Sequence, residues 1–197
     1  MLNSRKSTKW MKLDNAALIY PATMNRNWTA LFRLSATLTE PIDEDILEVA
    51  QKRTLRRLPW FAYKLKRGLF WFYLEHSDEL PKIEKDVANP CVRMRINEND
   101  GFCMRVRYYR NRIAVEFFHV LTDGTGGLVF LQTLVAEYLR LKYGADIPRG
   151  DRILDCSDAP KPEEAEDSFA VYSGKITQSR KEFKAYHISG TDERSGF

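Results

Sequence analysis

The sequence predicts a two-layer α/β sandwich, with a mixed, largely antiparallel sheet and helices on one face. Three observations predict it. Five apolar runs have strand character, at 28–39, 60–67, 69–76, 102–109 and 112–119, and the last four pair into two hairpins. Two longer segments, 43–57 and 125–143, repeat apolar residues at helical spacing. The chain has 197 residues, 44% of them hydrophobic, which is enough for one full-sized core.

Residues 28–39, WTALFRLSATLT, alternate, so Trp28, Ala30, Phe32, Leu34, Ala36 and Leu38 share a face. Pro41 ends the run. The next segment, DEDILEVAQKRTLRR, opens with acids and closes with bases, as suits a helix dipole. Ile46, Leu47, Ala50 and Leu55 give it an apolar side. WFAYKLK and LFWFYLE then flank Arg67-Gly68 as a hairpin, whose aromatics read as a hydrophobic sheet face. Residues 78–101, with Pro81, Pro90 and NENDG, read as irregular.

FCMRVRYY and RIAVEFFHV flank Arg110-Asn111 as the second hairpin. Parity places Phe102, Met104, Val106 and Tyr108 on one face of the first strand. It places Ile113, Val115, Phe117 and His119 on one face of the second. Arg105, Arg107 and Glu116 take the opposite faces, where they are expected to pair across strands on a wet side. GLVFLQTLVAEYLRLKYG is a strong helix, with Leu128, Leu131, Val135, Tyr138 and Leu139 in register and Gly144 as its C-terminal cap. Beyond residue 144 the chain turns acidic around APKPEEAED and reads as a loop or connector, with a last short strand at KAYHI. The boundaries are therefore 1–144 and 145–197.

The net charge of +4, from 31 bases and 27 acids, permits an anionic partner without demanding nucleic acid. Cys91, Cys103 and Cys156 are odd in number and lack CxxC spacing, so reduced thiols are expected rather than a disulfide framework or a zinc ribbon. No metal site is expected, because His76 and His187 bring no ligand pattern with them. No run resembles a signal peptide or reaches the apolar length of a membrane span, so a cytoplasmic location is expected.

The chemistry concentrates in residues 117–127, FFHVLTDGTGG. His119 lies where a strand runs into a helix. A neutral imidazole there, with one free nitrogen, can accept a proton from a hydroxyl, amine or thiol. Asp123 could cap the helix or pair with an arginine and hold the turn rigid. Gly124, Gly126 and Gly127 remove side chains where strand, turn and helix approach, and leave space beside the imidazole.

HVLTDG resembles the HxxxDG motif of the coenzyme A-dependent acyltransferase superfamily. That group includes chloramphenicol acetyltransferase, alcohol acetyltransferases and the condensation domains of peptide synthetases. The stretch KLDNAALIYPATMNRNWTALFRLSATLTEPID is similar to the beginning of bacterial alcohol acetyltransferase-like proteins, so the resemblance runs from about residue 9 to the end. It implies a chloramphenicol acetyltransferase-like fold. It makes His119 the catalytic base, Asp123 the structural aspartate held in an ion pair, and Gly124 the small residue that keeps the channel open. It also implies acyl-CoA, acetyl-CoA first, as a co-substrate rather than a resident cofactor, and a small alcohol or amine as acceptor. Single-chain members are about twice this length, and their second half carries a DFGWG loop that does not occur here. The chain is therefore expected to be an N-terminal half. Residues 145–197 would lead towards a missing C-terminal half, and that half or a second copy would cover the His119 face.

Other readings carry less. A non-catalytic condensation-like binding or scaffold module shares the same motif. DGTGG as a phosphate-binding turn lacks the Gly-Lys-Ser/Thr or GxGxxG that such a site uses. RVRYYRNR interleaves arginines with aromatics, yet a hairpin explains it without nucleic acid.

Overall fold

The computed structural model describes residues 10–13, 17–23, 28–69, 71–94, 99–161 and 164. Contacts group the chain into one unit over Met1–Ala165 and another over Glu166–Phe197. The strand expected at KAYHI lies outside the described residues. The first unit contains, in chain order, β1 (Trp10–Lys12), α1 (Ile19–Thr23), β2 (Leu31–Thr37), α2 (Glu44–Arg57), β3 (Tyr63–Arg67), β4 (Phe72–His76), β5 (Ile83–Lys85), β6 (Met104–Tyr109), β7 (Arg112–Phe118) and α3 (Gly124–Tyr143).

The strands form two sheets, a four-stranded one in the order β2–β7–β6–β5 and a three-stranded one in the order β1–β4–β3. Every pairing is antiparallel except β5 with β6. A single bridge from Lys64 to Phe102 connects β3 to the approach of β6. This is the mixed, largely antiparallel architecture that the sequence predicts.

Both long helices begin and end for reasons legible in their residues. Asp43 caps α2 by accepting from the Ile46 N–H at 3.2 Å, with Glu44 and Asp45 in the first turn and Arg56 and Arg57 in the last. Asp123 caps α3 by accepting from the Gly126 N–H at 2.8 Å. Gly144 closes α3 in the left-handed conformation, φ 63°, its N–H donating to the Arg140 carbonyl. The expected strand at 60–67 loses its first three residues. Pro59 starts a 3-10 turn over Pro59–Ala62, which carries Phe61 into the core beside Phe130, with ring centroids 4.6 Å apart.

The main core lies between the four-stranded sheet and the helices. Leu47 and Ala50 of α2, Phe130, Leu134 and Tyr138 of α3, and Met104, Val106, Ile113, Val115 and Phe117 of β6 and β7 are all fully buried. Each larger side chain among them contributes about 1.5–3 kcal/mol by leaving water. Parity had placed the β6 and β7 residues on this face, and the register pairs Met104 with Phe117 and Val106 with Val115.

The opposite face carries the charges, as expected, but it is not wet. Glu116 is fully buried. It receives Arg105 at 2.7 Å and Arg33 at 3.2 Å, with Arg107 at 3.8 Å. Residues 83–94, read as irregular from sequence, lie across this face as β5 and a strap. Arg107 donates to the Lys85 carbonyl, Arg105 to the Val92 carbonyl, and the Cys91 N–H to Glu116. Asp86 pairs with Arg33 and Arg112. The strap's backbone groups need partners once water is excluded, and the charged side chains supply them.

Past Gly144 the chain stays on the helices. Arg140 donates to the Ile147 carbonyl at 2.6 Å, and the Leu154 N–H donates to Thr133 Oγ1 at 3.1 Å. Arg57, whose side chain is almost wholly buried, forms a bidentate pair with Glu164 at 2.6 Å through each nitrogen. No helix among the described residues is long and apolar enough to cross a membrane.

Candidate active site

The site is built at the end of β7. The strand stops at Phe118, one residue earlier than the alternation suggests, because Phe118 to Leu121 closes a turn through the Leu121 N–H and the Phe118 carbonyl at 2.8 Å. His119 is the first residue of that turn. Its own N–H still pairs across to β2, donating to the Ala30 carbonyl at 3.0 Å. Ala30 is buried and left-handed at φ 52°, a conformation that costs a residue with a Cβ about 1 kcal/mol. The kink that aims its carbonyl at His119 is therefore held by its surroundings.

The imidazole of His119 is partly buried between two aromatic rings. Tyr20 of α1 stacks on it with centroids 5.1 Å apart and planes 19° apart. Phe32 of β2 meets it at 4.5 Å and 41°. Among the described residues no side-chain hydrogen bond occupies either ring nitrogen. Among the described residues, these ring contacts are what holds the side chain.

Asp123 sits at the mouth of α3, and its carboxylate is exposed. The cap is the contact it makes; no arginine among the described residues pairs with it. The glycines divide into two kinds. A methyl placed on Gly124 would meet open space, whereas one on Gly127 would lie 2.9 Å from the Phe32 ring and 3.2 Å from that of Phe117. One on Gly126 would strike Thr122 Oγ1 at 2.2 Å. Gly126 and Gly127 serve close packing, and Gly124 leaves room.

Two further features bear on chemistry. Among the described residues no group of His, Cys, Asp and Glu could hold a metal ion, and Cys91, Cys103 and Cys156 are free thiols. A cleft of about 580 Å³ lies along α2, lined in part by Val49, Lys52, Arg56, His76 and Leu80, and includes none of the motif residues.

His119, Asp123 and Gly124, which the sequence singles out, lie together in the connection from β7 to α3. The sequence did not locate Tyr20, which lies in a five-residue helix too short for any periodic signal. Phe32 was legible as a core-facing strand residue, but its contact with the imidazole was not.

No known family model and no curated protein sequence matches the chain. Solved structures do share its architecture. Polyketide synthase associated protein 5 from Mycobacterium tuberculosis superposes with a TM-score of 0.57 at 18% identity, over 84% of this chain and 39% of that one. The starter condensation domain of rhizomide synthetase gives 0.57 at 11% identity, over 73% of this chain and 41% of that one. The complex of the X-domain and OxyB from teicoplanin biosynthesis gives 0.53 at 12% identity, over 68% of this chain and 33% of the matched one. The class defined is thus the condensation-domain and chloramphenicol acetyltransferase fold. Within that class, the chain spans about two fifths of the length of the first two structures.

Proposed function

We propose that the chain is the N-terminal half of a CoA-dependent acyltransferase of the alcohol acetyltransferase type, with His119 as general base. The observation that carries this reading is the imidazole at the strand-to-helix turn, packed against two aromatic rings, with neither ring nitrogen hydrogen-bonded among the described residues, and followed by the unfilled space at Gly124. Residues 1–144 form the motif-bearing half, and residues 145–197 lead towards the second. The exposed apolar side chains of Leu18 and Ile19 precede Tyr20 in sequence, that of Trp28 lies with its ring centroid 6.2 Å from the Tyr20 ring, and a second half or a second copy would cover such a surface.

In the proposed reaction an alcohol or amine lies against His119. Its oxygen or nitrogen forms a bond to the thioester carbonyl carbon of acyl-CoA, acetyl-CoA first, as the imidazole takes the departing proton. The tetrahedral oxyanion is stabilised by donors outside the groups assigned here. Its collapse breaks the carbon–sulfur bond, and the imidazolium returns the proton to the CoA thiolate. Asp123 supports the turn from the helix end, and Gly124 keeps the approach clear.

A scaffold role is the second reading. The X-domain, seen bound to OxyB, shows that this fold also occurs in a protein–protein complex. The test is release of free CoA thiol from acetyl-CoA by the full-length gene product, supplied with a panel of short alcohols and amines. Acceptor-dependent thiol release supports the transferase. Its absence across the panel, from a protein that folds, supports the scaffold.

A further inference from the structure

Resting on the reading of His119 as base, we infer that Tyr20, Phe32 and Gly127 are positioning residues for its imidazole, with Gly127 acting through Phe32. The contacts form a chain. Phe32 touches the His119 ring on one side and stacks on Phe117 on the other, with centroids 5.2 Å apart. The Phe32 ring occupies the space that a side chain at residue 127 would need, since a Cβ there would come within 2.9 Å and 3.1 Å of two of its carbons. Gly127 is buried in the first turn of α3, and its N–H donates to the Asp123 carbonyl. The last glycine of FFHVLTDGTGG therefore makes room for the ring that holds the first functional residue of the same stretch. Tyr20 stacks on the same imidazole, with centroids 5.1 Å apart.

A close-packed interior transmits such a displacement instead of absorbing it. Alanine at 127 would push the Phe32 ring by on the order of half an ångström. Phe117 is itself 3.2 Å from the added methyl, so the ring cannot retreat freely on that side. The imidazole then loses one face of its seat. A reacting group misplaced by about 1 Å commonly costs about 10²-fold in rate.

The test has a spectroscopic and a kinetic arm. The chain contains three histidines, so carbon-13 labelling of histidine gives three ring signals, and single His→Ala variants assign them. Stacked between two rings, the His119 ring protons are shifted by the ring currents of Tyr20 and Phe32. Gly127→Ala, Phe32→Leu and Tyr20→Leu should each move the His119 signal while leaving His76 and His187 in place. In the full-length protein, Gly127→Ala should lower kcat by about 10²-fold with the KM for acyl-CoA unchanged. If Gly127→Ala does not fold, Tyr20→Leu carries both arms, because Tyr20 lies outside the main core. A His119 signal unmoved by Tyr20→Leu and Phe32→Leu overturns the clamp. A signal that moves while kcat holds, in a protein that His119→Ala inactivates, overturns the positioning role and leaves the base assignment standing. If His119→Ala keeps its turnover, the base assignment falls and the inference with it.

Discussion

Asp123→Ala separates two roles that the HxxxDG resemblance leaves together. In the structure the carboxylate is exposed and, among the described residues, makes one hydrogen bond, from the Gly126 N–H at 2.8 Å, at the start of a 20-residue helix. Losing an N-cap costs about 0.5–2 kcal/mol, and the lost charge at the dipole's positive end adds about 0.3–1 kcal/mol. For a chain of this size each kcal/mol lowers Tm by about 2–4 °C, so a fall of about 2–12 °C is expected. A carboxylate in a buried ion pair would instead cost about 3–5 kcal/mol, because its arginine would be left uncompensated. Urea unfolding followed by circular dichroism measures the difference, with Asp123→Asn and Asp123→Ser as the informative partners. Both can cap, and neither can form an ion pair. Recovery of most of the loss by Asn and Ser supports the cap. A loss of more than about 4 kcal/mol that neither restores would refute it.

Three further outcomes follow from the buried charges and thiols. Glu116→Ala removes a fully buried carboxylate from Arg33, Arg105 and Arg107, and should cost about 3–5 kcal/mol in chemical denaturation, a large part of a typical domain's stability. Hydrogen bonding from Arg33, against the opposing cost of burial, and from Arg112 and the Val87 N–H, holds the Asp86 carboxyl well below the usual carboxylate range. Its contribution is present above the unfolded value near about pH 4 and is lost as pH falls towards the lower folded value, so Asp86→Asn should flatten the acid limb of the stability curve. Burial pushes the Cys103 thiol up to about 12. The folded state keeps that proton where the unfolded chain has lost it. Stability should therefore fall between about pH 8.5 and pH 12, and less steeply in Cys103→Ala.

Much of the fold was legible because the signals were local. Strict alternation fixed the faces of β6 and β7, and the charge gradient and Gly144 fixed the ends of the helices. What escaped depended on distant contacts. Arg105, Arg107 and Glu116 alternate as a solvated face would, and nothing in their own segments announces the strap at 83–94 that buries them. The three residues of β5 pair in parallel with β6, a partnership that leaves no hairpin mark in sequence. Asp123 was open between cap and ion pair; it caps α3, and no arginine among the described residues pairs with it. His119 was read as a strand residue, and it lies one residue past the end of β7. The rings that hold it come from α1 and β2, about 90–100 residues earlier, which no local pattern could reveal.

The most direct measurement of the central claim is steady-state turnover of the full-length protein and its His119→Ala variant, with direct measurement of acyl-CoA binding to each. Loss of a general base commonly costs about 10²–10⁴ in rate. The account predicts a fall in kcat of that order with acyl-CoA affinity nearly unchanged, since the imidazole acts on the acceptor's proton. Wild-type turnover by His119→Ala, for every acceptor the protein accepts, would contradict it.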